Sequence, residues 1–258
     1  MRIKKSLGQN FLKSEGDLQA IVNAGNLTSD NFVLEIGPGR GALTTKILET
    51  GVKVTAIEKD DDLIPFLEDK FKKEISEGQL TLIHGDILKE DLSNRIPLKY
   101  KLISNIPYYI TGLIIRKFLS ETNQPKNMVL LVQKEVADRI MARDGKESLL
   151  SISVKAYAEP ELIKIVKAGS FFPAPKVQSA IIAFRNISKD NFVDVNEDKF
   201  FEILHAGFAH KRKKLFSNLK QKFDKDFSEK SDLDSNIRAE KLTMKDWMMI
   251  AKIFSPKN

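Results

Sequence analysis

The sequence predicts an α/β fold: a mostly parallel sheet of seven strands, followed by a small all-helical domain. Three observations predict it. Short β-branched runs alternate with amphipathic helical segments from Asn31 to about Arg185, the pattern of strands joined by helical crossovers. The first of these runs enters a glycine-rich turn that opens a helix. Beyond Arg185 the spacing stays helical and offers no strand candidate. The expected strands are Phe32–Ile36, Lys53–Ile57, Leu80–His84, Lys101–Asn105, Met128–Gln133, Leu162–Val166 and Ser179–Phe184. Helices are expected over Leu43–Glu49, Asp61–Lys73, Gly112–Ser120 and Glu135–Ala142, whereas the two prolines in Phe171–Pro175 force an extended path. The polar, turn-rich stretch Asn186–Asn196 places a boundary there, so that residues 1–190 form the larger domain and residues 191–258 the smaller. Phe200, Phe201, Leu204, Phe208, Trp247, Met248, Ile250 and Ile253 supply the helical domain's apolar positions.

At 258 residues and 42% hydrophobic composition the chain can bury a full core. It has no cysteine, which excludes disulfides, thiolate metal sites and cysteine nucleophiles and suits a reducing cytoplasm. No apolar run approaches membrane-spanning length and none heads a cleavage site, so a soluble, unprocessed protein without membrane contact is expected. The net charge of +7 and pI of about 9.3 suit a polyanionic partner. Arg2, Lys4, Lys5 and Lys13 make an acid-free N-terminus, and Lys211, Arg212, Lys213, Lys214, Lys220 and Lys222 an acid-free run near the other end. Such runs are usually solvated faces, but the aromatic and Asn neighbours favour phosphate contact for Lys4, Lys5 and Lys211–Lys214. The three histidines, His84, His205 and His210, lack metal-ligand spacing, and no metal site is expected.

Val33-Leu-Glu-Ile-Gly-Pro-Gly-Arg-Gly41 reads as a buried strand leading into a glycine-rich turn that opens a helix, with Glu58 closing the next strand. Glycines admit the nucleoside close to the backbone, and an acid roughly 20 residues on can accept both ribose hydroxyls. Alone, the motif fits a nicotinamide cofactor or S-adenosylmethionine. Two details tilt it to the latter: Gly41 follows Gly39 by two residues rather than three, and Glu35 precedes the turn, where an acid can meet the cofactor's amino-acid end. Asp86, with Ile87 beside it, ends a third strand near the expected adenine, although an Asp there is often only a helix cap.

Asn105-Ile-Pro-Tyr108 at the end of the fourth strand is the most specific signal. The lone pair of an exocyclic adenine amine is delocalised into the ring. Acceptance of its two N–H bonds by the Asn105 side chain and the Ile106 or Pro107 carbonyl would draw the nitrogen toward tetrahedral geometry, without a strong base. Pro107 stiffens the turn, and Tyr108 can stack on an extruded base. The bland alternative is a strand-ending turn with a core tyrosine.

These residues resemble the KsgA-type ribosomal RNA adenine dimethyltransferase family over nearly the whole chain. Lys5-Ser-Leu-Gly-Gln-Asn-Phe-Leu12 is similar to its N-terminal signature, Phe172-Pro-Ala-Pro-Lys-Val177 to the loop that closes over the target base, and Phe208–Leu219 to its RNA-contacting region. The resemblance implies a Rossmann-like class I methyltransferase fold, with 1–190 as S-adenosylmethionine-binding catalytic domain and 191–258 as helical RNA-contacting domain. It also implies cofactor contacts from Asn10, Leu12, Glu35, Gly37, Gly39, Glu58, Asp86, Ile87 and Asn105, with Glu58 on ribose and Asp86 on adenine. Catalysis would fall to Asn105, Pro107, Tyr108 and Phe172, the last stacking opposite Tyr108. The implied reaction is N6,N6-dimethylation of adjacent adenosines near the 3′ end of 16S ribosomal RNA, within an immature small subunit, by a cytoplasmic monomer. Ile106, Gly112, Gln178 and Lys211 depart from the commoner pattern without removing a catalytic group, and Lys211 lacks the bidentate fork of the usual arginine. The rivals are an erythromycin-resistance methyltransferase acting on 23S RNA, a noncatalytic assembly or transcription factor on the same fold, and, more remotely, a nicotinamide dehydrogenase.

Overall fold

The computed structural model describes residues 4, 8–224, 231 and 233–254. Its elements, in chain order, are β1 (Phe11–Leu12), α1 (Glu15–Ala24), β2 (Phe32–Ile36), α2 (Ala42–Leu48), β3 (Lys53–Glu58), α3 (Ile64–Lys70), α4 (Lys72–Ser76), β4 (Leu80–His84), β5 (Lys101–Ser104), α5 (Thr111–Ser120), β6 (Asn127–Gln133), α6 (Lys134–Met141), α7 (Leu149–Lys155), β7 (Glu159–Val166), β8 (Phe171–Phe172), β9 (Ser179–Arg185), α8 (Glu197–Gly207), α9 (Leu215–Phe223) and α10 (Met244–Phe254). Seven strands form one sheet in the order β4-β3-β2-β5-β6-β9-β7. The pairs from β4 to β6 are parallel and β9 runs antiparallel to β6. Apolar strands such as β6, buried along nearly their whole length, are what a sheet covered on both faces requires.

Contacts divide the chain into two compact units. The first runs to Ala137 and resumes over Pro160–Ile187; the second comprises Asp138–Glu159 and the chain from Ser188 onward. The late boundary thus falls at 187–188, and residues 138–159 pack with the C-terminal helices rather than with the sheet where sequence patterning had placed them. The reason is aromatic. Tyr157 meets Phe192 at 5.2 Å and Phe201 at 5.7 Å between ring centroids, its carbonyl accepts from Ser188 N, and Glu147 N donates to the Glu240 carbonyl.

In the first unit α1 buries Leu18, Ile21 and Val22 in the same core as Val33, Ile47, Val54, Ile103, Val129 and Ile181. This helix was missed, although Ser14 and the 18/21/22 spacing mark it. So was α7, which starts on a reciprocal capping box between Ser148 and Ser151. The single helix expected over Asp61–Lys73 is two, because Phe71 (φ −110°, ψ 26°) leaves the helical path. Its ring turns under Gly41, where an added Cβ would stand 2.5 Å from it.

Candidate active site

The C-terminal ends of β2, β3, β4 and β5 open on a cavity of about 500 Å³, the edge at which open α/β sheets bind ligands. β2 ends in Glu35 and Ile36, and the chain then turns through Gly37, Gly39 and Gly41, with φ of +66°, +62° and +72°. Those angles select glycine. A Cβ on Gly37 would stand in open space, so the bare backbone leaves that part of the cavity wall to a ligand. Lys70 Nζ donates to the Arg40 and Gly41 carbonyls at 3.0 and 3.2 Å, bracing the turn from α3.

Glu58, 6% exposed, ends β3 with one carboxylate oxygen bound to this turn and the other to the chain just beyond β3. Oε2 accepts from Gly39 N at 3.0 Å and Oε1 from Asp60 N at 2.8 Å. Burial raises its pKa against these bonds. The lone pairs that remain can take a ribose diol. Glu35 is 1% exposed and its Oε2 has no hydrogen-bond partner; burial pushes its pKa up to about 8. An orphaned carboxylate oxygen lining the cavity fits an incoming ammonium, such as the amino group of S-adenosylmethionine. Asp86 and Ile87 line the same wall. Asp86 is held ionised by Lys59, 2.9 Å away, and its Oδ1 accepts from Leu88 N.

Glu35 makes a testable linkage. Its folded pKa of about 8 lies above the ordinary 4.5, so between those values the folded chain keeps a proton that the unfolded chain has lost. The stability contributed by Glu35 is therefore present below about pH 4.5 and lost as pH rises through about 8. Glu35→Gln should flatten that loss in denaturant titrations. Cofactor binding at pH 7 should release a proton, seen as a binding enthalpy that varies with buffer ionisation heat. A buffer-independent enthalpy would leave Glu35 without its ammonium partner.

Opposite the glycine turn, Asn105 follows β5. Its Nδ2 donates to the Asn10 carbonyl at 3.2 Å. Because a carbonyl only accepts, this bond fixes the amide with Oδ1 free to accept. Pro107 (φ −59°, ψ 134°) leads into a 3-10 turn, Tyr108–Ile110, and the Tyr108 hydroxyl lies 2.6 Å from Ser179 Oγ. The N-terminal signature reaches the site through a pairing that sequence reasoning missed: β1 lies antiparallel to β8, with Phe11 opposite Phe172 and Leu12 opposite Phe171. Lys13 N extends the pairing to the Ser170 carbonyl at 2.8 Å. Strand alternation then sends Phe171 into the core, 2% exposed, and leaves Phe172 55% exposed on the cavity rim. Phe11 was also missed. Its ring covers Gly39, where a Cβ would come within 3.1 Å, and carries the Arg40 guanidinium 4.8 Å from its centroid.

Asn10, Leu12, Glu35, Gly37, Gly39, Glu58, Asp86, Ile87, Asn105, Pro107, Tyr108 and Phe172 therefore all line one cavity. Lys4 does not behave as expected. Its ammonium sits among Asp60, Asp61 and Asp62 at 2.5, 2.6 and 2.8 Å, and Gln9 Nε2 also donates to Asp60. Three carboxylates already neutralise this cation, which is a tether for the N-terminal segment rather than a phosphate contact. Lys5 lies outside the described residues. Lys211, Arg212, Lys213 and Lys214 are exposed between α8 and α9. Buried Asn218 holds that turn by donating to the carbonyls of Gly207 at 2.7 Å and His210 at 3.2 Å, a support that charge counting could not find.

A glycine turn and two buried acids lining one cavity, at the C-terminal edge of a seven-stranded, mostly parallel sheet, define a class I, S-adenosylmethionine-dependent methyltransferase. A family model described as ribosomal RNA adenine dimethylase matches residues 1–255, and the chain belongs to that family. It is 37% identical to ribosomal RNA small subunit methyltransferase A of Dehalococcoides mccartyi (strain ATCC BAA-2266 / KCTC 15142 / 195), over 99% of this chain and 89% of the relative. It is 36% identical to the protein of the same name from Fusobacterium nucleatum subsp. nucleatum, over 97% of each. A dimethyladenosine transferase from Plasmodium falciparum superposes with a TM-score of 0.78 at 27% identity, covering 95% of this chain and 98% of that one. The 23S rRNA methyltransferase ErmE shares the fold, with a TM-score of 0.75 at 22% identity over 94% and 98% of the two chains. Among the described residues no helix is long and apolar enough to cross a membrane.

Proposed function

We propose that this chain dimethylates N6 of two adjacent adenosines near the 3′ end of 16S ribosomal RNA, acting as a monomer on an immature small subunit. The observation that carries the chemistry is the Asn105 amide, whose Nδ2 is committed to the Asn10 carbonyl and whose Oδ1 is thereby presented as an acceptor. The choice of small-subunit RNA is supported by the names of the relatives from Dehalococcoides and Fusobacterium.

Gly37, Glu35 and Glu58 would hold S-adenosylmethionine, which would supply an electrophilic methyl group. Asn105 Oδ1 and the Ile106 or Pro107 carbonyl accept the two adenine N–H bonds, holding the nitrogen with its lone pair turned toward the cofactor side of the cavity. Tyr108 and Phe172 supply the two faces between which the extruded base stacks. Orientation and fixed dipoles make a general base unnecessary during attack, the methylated, cationic amine passing its extra proton to water afterwards, and the alignment available to such a site reaches on the order of 7 to 11 kcal/mol. The deciding experiment incubates the protein with labelled S-adenosylmethionine and undermethylated small or large ribosomal subunits, then maps the labelled nucleosides. Label confined to large-subunit RNA would replace this target with the erythromycin-resistance one.

Lys211, Arg212, Lys213 and Lys214 are assigned to RNA phosphates. The quadruple Ala variant should bind RNA more weakly whatever its sequence, and its log-log salt slope should flatten by up to about 4 × 0.7 to 0.9. Filter binding across a salt series checks this; an unchanged slope returns the turn to an ordinary solvated surface.

A further inference from the structure

Resting on the dimethylation reading above, we infer that Ser179 is a positioning residue for the second methyl transfer, pinning the Tyr108 ring opposite the loop that carries Phe172. Tyr108 is only partly buried and lines the cavity, on a short turn, and its hydroxyl is held by the 2.6 Å contact with Ser179 Oγ. Ser179 is fully buried and begins β9, where it pairs with Gln133 of β6. The preceding Gln178 carbonyl accepts from Lys134 N at 2.9 Å. The sheet, and not a surface loop, therefore sets where the hydroxyl stands. Immediately upstream of Ser179 the chain runs back through residues 173–178 to Phe172. One strand start thus anchors the ring on one side of the base and leads to the ring on the other.

A tyrosine hydroxyl turned into the protein usually finds a partner, so a purely structural role must be separable by measurement. The two transfers separate it. Unmodified adenine is aligned by two N–H bonds and tolerates a loosened ring; the monomethylated base has one N–H left and leans on the stack. Loss of the hydroxyl should therefore slow the second transfer more than the first, whereas a merely structural defect slows both alike.

The test uses the full chain on undermethylated small subunits with S-adenosylmethionine, following mono- and dimethyladenosine over time by nucleoside mass spectrometry, with thermal melts and the KM for RNA. Ser179→Ala should slow the second transfer about fivefold more than the first, the effect of one lost hydrogen bond. Tyr108→Phe should match it, the double variant should add nothing further, and Ser179→Thr should restore the native ratio. A folded Ser179→Ala protein with the native mono-to-dimethyl ratio, or with both transfers slowed equally, overturns the assignment. If Ser179→Ala does not fold, Tyr108→Phe removes the same bond from the other side and the same ratio decides. A native protein that stops at one methyl instead defeats the dimethylation reading; the KM for RNA then decides, an unchanged value in both variants overturning the pinning role and a raised one sustaining it.

Discussion

Asn105→Ala is expected to lower the rate of methyl transfer by about 10²- to 10³-fold, the usual loss when one preorganised polar partner is removed from a reacting centre. The side chain does two things. Nδ2 ties the turn after β5 to the Asn10 carbonyl, and in the proposed mechanism Oδ1 is left to draw on the adenine amine. Alanine removes both, yet the proposed cofactor residues Glu35, Gly37 and Glu58 stand on or just after other strands, so cofactor affinity should change far less than rate. Asn105→Asp is the sharper control. It keeps the acceptor and loses the only donor that can face a carbonyl, setting an anion against the Asn10 oxygen. Both variants should therefore be slow, the second through misplacement. Single-turnover kinetics on undermethylated small subunits measure this; Asn105→Ala within fivefold of native would remove the amide from the chemistry.

The parts of this site that repeat with a period were legible in the sequence, and the parts made by meeting were not. Seven strands announced themselves because runs such as Met128–Val132 alternate with helical spacing and end at polar or glycine positions. Gly37, Glu58 and Asn105 could be set at one sheet edge because parallel strands all end there. A two-residue strand has no period, so the pairing of Phe11 with Phe172 left no trace, and with it the bond between Asn10 and Asn105. Charge counting read Lys4 as free because its partners, Asp60 to Asp62, are 56 or more residues away. The break at Phe71 was hidden for a similar reason: its cause is a glycine thirty positions earlier, under which the ring packs. Residues 138–159 were placed with the sheet because local helical spacing cannot say which unit Tyr157 will pack against.

Phe172→Ala should convert the enzyme from a dimethylating to a largely monomethylating one. The target nitrogen begins with two N–H donors, has one after the first transfer and none after the second, so each turn of the reaction weakens the polar hold on the base and the finished product has lost it. Between the transfers the base depends on stacking, worth about 1 to 3 kcal/mol per base. Of the two faces, Tyr108 is fixed through Ser179, while Phe172 projects from β8 at the cavity rim with more than half its surface open. Truncation there costs the core little, because Phe171 and not Phe172 is the buried neighbour and the backbone pairing with β1 is kept. The first transfer should slow modestly and the second by roughly 5- to 150-fold, the same range expressed as a rate. Nucleoside mass spectrometry at saturating S-adenosylmethionine should then show monomethyladenosine accumulating where the native protein runs through to dimethyladenosine. Complete dimethylation by Phe172→Ala at the native rate would mean that the base is held by something other than this pair of rings.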